Sequence, residues 1–249
     1  MASFKNSLGH PDRLNALVVG GSGGIGRSVC QALAAADVRL IIHGRTREKL
    51  ALLAAELAPE VPELVEADLS GGIIPARLED AARRIDILVI AYGPFAYKPL
   101  AQTSPEDWRT LALANLALPG ALVSIVAPGM AARGFGRILL FGGTKTELPR
   151  GFRMNAAYAS AKTGLGVIAR SVTAEYAGNN VACTVVCPGM VDTEYLDPGK
   201  RDNFAKLAPG GRLTKPDRIA AFVVNLLLGD MALVSGSVIN TDDGLYMGF

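Results

Sequence analysis

Histidine is nearly missing from this 249-residue chain: there are two, His10 and His43, and three cysteines, Cys30, Cys183 and Cys187. Neither histidine falls in a ligand spacing with another His or Cys, so the sequence supports no metal site. Cys183 and Cys187 lie on one apolar run that reads as a buried strand. Four strand residues separate them by about 13 Å, beyond the roughly 7 Å Cα limit of a disulfide. They read as small core hydrophobes. Charge imbalance is also absent: the formal net charge is +2, so no broad basic face argues for nucleic acid. No apolar run reaches the roughly 18 residues that span a bilayer. The N-terminal stretch to Asn15 is polar and lacks a signal-peptide apolar core. These absences lead to an expectation of a soluble cytoplasmic protein.

Half of the residues are hydrophobic and 19% are charged, enough apolar material for one large core. Strand-like runs at 16–19, 39–42, 63–66, 85–90, 137–141, 181–186 and 237–240 alternate with helix-like runs. Several are continuous Val/Ile/Leu segments, as parallel strands covered on both faces require. Helices are predicted at 24–36, 47–58, 105–133 and 154–177. The alternation predicts one α/β domain over 1–249, a Rossmann-like doubly wound parallel sheet of about seven strands with helices on both faces. Residues 192–216 break the rhythm with Asp197-Pro198-Gly199 and Pro209-Gly210-Gly211. This stretch reads as a mobile lid over a substrate pocket, against the plainer reading as a surface insertion.

Glycines gather where the first strand meets the first helix, in Gly20-Gly-Ser22-Gly-Gly24-Ile25-Gly26. They permit a tight turn and close approach to phosphate oxygens. The helix start then offers free N–H groups and a positive dipole end. At the end of the second strand, His43-Gly44-Arg45 has no acid for ribose hydroxyls. A guanidinium at Arg45 matches a 2′-phosphate as a bidentate donor, which favours NADP as cofactor.

Tyr158 and Lys162 lie four residues apart and share a helix face. A nearby ammonium favours phenolate, which would lower the tyrosine pKa from its usual value of about 10. Such a tyrosine gives a proton to a carbonyl oxygen or takes one from an alcohol. Alone, the pair is also a common arrangement on a solvated helix face.

Together these segments resemble the short-chain dehydrogenase/reductase family over nearly the whole chain. The glycine stretch is similar to its T-G-x-x-x-G-x-G signature, with Val19 at the threonine. Asp68-Leu69 resembles its adenine-contacting pair, and Asn115 its helix asparagine, which holds a relay water. Tyr158 and Lys162 match Y-x-x-x-K. Pro188, Gly189 and Thr193 match P-G-x-x-x-T, the segment binding the nicotinamide carboxamide. The run from Gly236 to Asp242 resembles the terminal strand that pairs across subunits, implying a homotetramer or homodimer. The resemblance implies Gly20, Ser22, Gly24, Ile25, Gly26, Arg45, Asp68, Leu69, Ala91, Gly93, Tyr158, Lys162, Pro188, Gly189 and Thr193 as cofactor contacts.

Three positions depart from the family. Ile90-Ala91-Tyr92-Gly93 stands where N-N-A-G is usual, and Tyr92 reads as packing beneath the nicotinamide. Asp242-Asp243-Gly244 stands where D-G-G is frequent. The family's catalytic serine falls on Gly143, and the adjacent Thr144 hydroxyl is its natural substitute. The implied catalytic set is therefore Tyr158, Lys162, Asn115 and Thr144. The implied function is NADP(H)-dependent interconversion of a carbonyl and a secondary alcohol in a small molecule. An NADP-binding sensor with weak or no turnover is the alternative, and dehydration or epimerisation on the same fold a third. Phe95, Tyr97, Phe152 and Met190 would give an apolar or aromatic pocket, whereas Arg150 and Arg153 would instead favour an acidic substrate.

Overall fold

The computed structural model describes residues 13–244. The N-terminal stretch read for a signal peptide lies outside them up to residue 12, and His10 with it. Seven strands form one fully parallel sheet: β1 Asn15–Val19, β2 Arg39–Gly44, β3 Glu63–Glu66, β4 Ile87–Ile90, β5 Gly136–Phe141, β6 Val181–Pro188 and β7 Val238–Thr241. Their order is β3-β2-β1-β4-β5-β6-β7. The order reverses between β1 and β4, so a crevice opens beyond their carboxyl ends, the usual ligand position in such sheets.

Alternate residues of each strand feed two cores. Leu17, Val19, Leu88, Ile90, Ile138 and Leu140 pack on one face, and Ala16, Val18, Ile87, Val89 and Leu139 on the other. This is the two-residue period of a strand covered on both sides. Cys30, Cys183 and Cys187 are buried free thiols in these layers.

The helices are α1 Gly24–Ala35, α2 Arg47–Glu56, α3 Ala76–Ala82, α4 Pro105–Ala112, α5 Leu118–Arg133, α6 Ala156–Tyr176, α7 Pro198–Leu207 and α8 Pro216–Leu228. Two expectations need correction. The run 105–133 is not one regular helix, because a π-turn at Leu113–Ala117 interrupts it. Leu118 donates its N–H to Leu113, five residues back. The cause is visible in the chain: Pro119 has no N–H for the carbonyl of Asn115 four residues earlier. The same run is also long and apolar enough to cross a membrane, contrary to the sequence reading, but half of its most apolar stretch is buried inside the protein. It is a core helix packed on α3, α6 and β5.

The second correction concerns residues 192–216. They contain α7, started by Asp197, whose side chain accepts the Gly199 N–H at 2.9 Å, with Pro198 in the first turn. Asp-Pro-Gly, read as loop punctuation, is a helix start.

Candidate active site

Beyond β1 the chain turns sharply at Gly20, at φ +81°. The Gly20 and Gly21 N–H groups both reach the carbonyl of His43, at 3.1 and 2.9 Å. A side chain at Gly26 would run into the Gly20 carbonyl, so α1 lies directly on the turn. Gly23 precedes α1 with no side-chain cap, which leaves first-turn N–H groups free for an acceptor. One is in use: Gly24 donates to Glu194 Oε1 at 2.9 Å. Ile25 is partly buried against the core below. Ser22 packs over Gly44, where any Cβ would stand 2.5 Å from its hydroxyl.

His43, which sequence reading leaves without a role, braces this turn. It is fully buried. Its Nε2 faces the Ala67 carbonyl at 3.1 Å and its Nδ1 lies 3.3 Å from the Gly20 nitrogen. A carbonyl only accepts, so Nε2 carries the proton and Nδ1 accepts. Burial pushes the imidazole pKa down, consistent with a neutral ring.

Around the turn, Arg45 and Asp68 are exposed at the ends of β2 and β3. The Asp68 carboxylate accepts the Ser70 N–H at 2.9 Å, which holds its pKa below the usual range. Leu69 is fully buried, so its side chain serves the core and only its backbone is left for a ligand. Ala91 donates to Val19 at 2.9 Å. Tyr92 packs against the core and meets His43 edge-on, 6.3 Å between ring centroids.

Tyr158 and Lys162 sit on the first turns of α6. Lys162 is buried, and its Nζ donates to the Phe141 carbonyl at the end of β5 at 2.9 Å. Asn115 projects from the π-turn and is fully buried. Its Nδ2 donates to the Pro94 carbonyl at 3.0 Å, while its Oδ1 has no partner. Both groups converge on Gly93, at φ +152°. A Cβ there would strike Asn115 Oδ1 and lie 3.3 Å from Lys162 Nζ.

The electrostatics correct one expectation. Lys162 does not pull Tyr158 down here; burial pushes the phenol above its ordinary value. The ammonium is held by Phe141 and lies 5.9 Å from the ring centroid, so desolvation wins. The same desolvation lowers Lys162 to about 8. Between about pH 8 and 10.5 the unfolded chain therefore holds a proton on this lysine that the folded chain lacks, and its contribution to stability rises with pH. The three buried thiols, raised by burial, act in the opposite sense above about pH 9. Comparison with Lys162→Met isolates the lysine: the melting temperature of the wild type should gain on the variant from about pH 7.5 to about pH 9.5. A constant difference would mean that Lys162 stays charged throughout.

Position 143 faces the phenol. A Cβ on Gly143 would stand 2.8 Å from Tyr158 Cε1 and 3.0 Å from its hydroxyl. The expected substitute, Thr144, is turned elsewhere: its hydroxyl donates to the Pro188 carbonyl at 3.1 Å, with Gly189 O at 3.3 Å. Thr146, a residue sequence reading passes over, determines this. Its buried Oγ1 accepts the Gly143 N–H at 2.8 Å and donates to the Gly143 carbonyl at 2.9 Å. The turn is thereby pinned, and Thr144 is directed at the end of β6. Phe95 meets the Tyr158 ring edge-on at 5.0 Å and stacks with Tyr97 at 6.2 Å. Arg150 pairs with Glu147, while Arg153 is exposed.

A glycine turn feeding a helix N-terminus, and a buried lysine beneath a tyrosine at the switch point of a parallel sheet, define an α/β oxidoreductase of Rossmann type. The chain belongs to the short-chain dehydrogenase family: the model of that family, described as short chain dehydrogenase, matches residues 14–203. The 3-oxoacyl-[acyl-carrier-protein] reductase FabG of Escherichia coli K12 is 28% identical over 246 residues, covering 93% of this chain and 97% of the relative. The acetoacetyl-CoA reductase of Rhizobium meliloti is 30% identical over 241 residues, covering 93% and 98%. Among solved structures, a 3-oxoacyl (acyl-carrier-protein) reductase from Agrobacterium tumefaciens C58 with NADP bound superposes with a TM-score of 0.83. It is 26% identical and covers 96% of each chain. These relatives are oxidoreductases, and the reading as a sensor without turnover finds no support among them.

Proposed function

We propose that this chain is an NADP(H)-dependent oxidoreductase that interconverts a carbonyl and a secondary alcohol, with Tyr158 as acid in reduction and base in oxidation. The observation that carries the reading is the convergence of Tyr158, Lys162 and Asn115 beside the glycine turn. The residues fit a dinucleotide. Gly24 already binds a carboxylate oxygen through its N–H. Gly26 lets α1 lie directly on the turn, and Gly93 leaves open the space beside Asn115 Oδ1 and Lys162 Nζ.

When bound, the nicotinamide cofactor supplies or accepts the hydride. The Gly20–Gly26 turn, with Ser22 and Ile25, would seat its diphosphate. Arg45 would take the 2′-phosphate, Asp68 and the Leu69 backbone the adenine, and Ala91 and Gly93 the adjoining ribose. Pro188, Gly189 and Thr193 would orient the carboxamide, and Lys162 the nicotinamide ribose. Asn115 Oδ1, buried and unpartnered, would hold a water that links Lys162 Nζ to solvent. Tyr158 closes on Gly143 and so addresses the substrate oxygen with its own hydroxyl. Thr144 joins it only by giving up the Pro188 carbonyl. Absence of one such donor costs a rate factor of about 10²–10³.

The exposed Phe95 and Tyr97, with Phe152 and Met190, favour an apolar or aromatic carbonyl. Segment 192–216 would act as the lid, and β7 would pair across subunits in a homotetramer or homodimer. This reading places the enzyme in the cytoplasm. The test is loss of nicotinamide absorbance on incubation with NADPH and a panel of carbonyl compounds; no turnover on any would defeat it. Arg45→Asp should weaken NADPH binding about tenfold to a hundredfold, from the loss of charge-assisted hydrogen bonds, and NADH binding much less. An unchanged NADPH affinity would remove Arg45 from the 2′-phosphate site.

A further inference from the structure

The strap just after Thr193 crosses the mouth of the glycine cradle. We infer that Glu194 and Tyr195 are a built-in competitor for the cofactor diphosphate and set the affinity of the cradle for it. The inference rests on the dinucleotide reading of that cradle.

Glu194 Oε1 accepts the Gly24 N–H at 2.9 Å. That N–H belongs to the first residue of α1, which no neighbouring side chain caps. A carboxylate there uses the same donor and the same positive helix end that a phosphate would use. Tyr195 lies beside it. Its hydroxyl covers Gly23, and its Cε2 stands 3.1 Å from where a Cβ of Gly24 would be. Its ring also meets the Lys49 ammonium, 5.7 Å from the centroid, so the strap reaches α2 on the flank of the cradle that carries Arg45. Two residues of the chain therefore occupy both the hydrogen-bonding end of the cradle and the space above it.

The strap is firm at its root and solvent-exposed at its tip. Asp192 pairs with Lys215 at 2.8 Å and with Arg201 at 2.5 Å. Val191 bridges to Thr214, and Thr193 donates to the Val191 carbonyl at 3.0 Å. Glu194 and Tyr195 themselves are exposed. Their contact with the cradle can break while the root stays in place. A diphosphate must displace the carboxylate, and the negative charge of Glu194 opposes its approach until the strap lifts.

The experiment measures NADPH and NADH affinity by calorimetry, and association by stopped flow, on the full-length wild type, Glu194→Gln and Glu194→Ala. Both variants should bind NADPH about threefold to tenfold more tightly, the scale of a carboxylate at a helix N-terminus. The gain should appear in the association rate. In the wild type that rate should level off with NADPH concentration at the rate of strap opening, and in the variants it should stay linear further. Inorganic pyrophosphate should show the same order of affinities. Equal NADPH affinity in all three proteins overturns the inference and leaves the cofactor reading standing. Weaker binding by Glu194→Gln makes Glu194 a cofactor ligand and also overturns it. Failure of all three to bind either nucleotide overturns the cofactor reading itself.

Discussion

Tyr158→Phe should lower turnover by about 10²–10⁴-fold, the range for loss of a positioned acid or base. The substitution removes one oxygen and little else. The ring keeps its edge-on contact with Phe95, so the fold and the pocket wall should persist. The neighbouring hydroxyls cannot take over the task. Thr144 donates to the Pro188 carbonyl, Thr146 is tied to both backbone groups of Gly143, and position 143 has no side chain. Cofactor affinity should change far less than turnover, because the cradle lies on other elements. Turnover by the variant above about a tenth of the wild-type rate would assign the proton transfer to another group.

Gly26→Ala should cost both stability and cofactor binding. The added methyl meets the Gly20 carbonyl oxygen, with the Gly20 carbon at 3.0 Å and the Gly21 Cα at 3.1 Å. All three are backbone atoms, so no side-chain rotation relieves the clash. Helix α1 must lift from the turn, which costs about 1–3 kcal/mol as overpacking and lowers the melting temperature by about 2–12 °C for a chain of this size. Lifting α1 also moves the Gly24 N–H, and NADPH affinity should fall by at least about tenfold, the equivalent of one lost charge-assisted hydrogen bond. Gly178→Ala is the control. Nothing lies within 4 Å of its added methyl, and both properties should be unchanged. A Gly26→Ala protein with wild-type melting and affinity would remove the turn from the cofactor site.

The sheet was legible because its strands are covered on both faces. Runs such as Ile87–Ile90 and Val181–Pro188 are almost wholly apolar without alternation, as the core strands of a parallel sheet are. The glycine turn was legible because its spacing is local. What escaped depends on distant partners or on summed burial. Helix α7 is charged and starts on Asp-Pro-Gly, so its apolar signal is weak. The direction of Thr144 is decided by Thr146 and by the end of β6. The upward shift of Tyr158 comes from desolvation, which no single neighbour announces. The bracing role of His43 is set by Gly20 and Ala67, both 23 or more residues away. Glu194 meets Gly24 across 170 residues, and no spacing rule reaches that far.

The π-turn at Leu113–Ala117 also sets the phase of the long helical run. One residue advances an α-helix by about 100°. The extra residue within the turn rotates α5 by that amount relative to α4. The α4 stripe can then lie on α6 while the α5 stripe reaches β5 and α3 as well as α6. Asn115 stands at the joint and is fully buried there. The run therefore works as two helices in different frames joined end to end, with the residue beside Lys162 stationed where the frame changes.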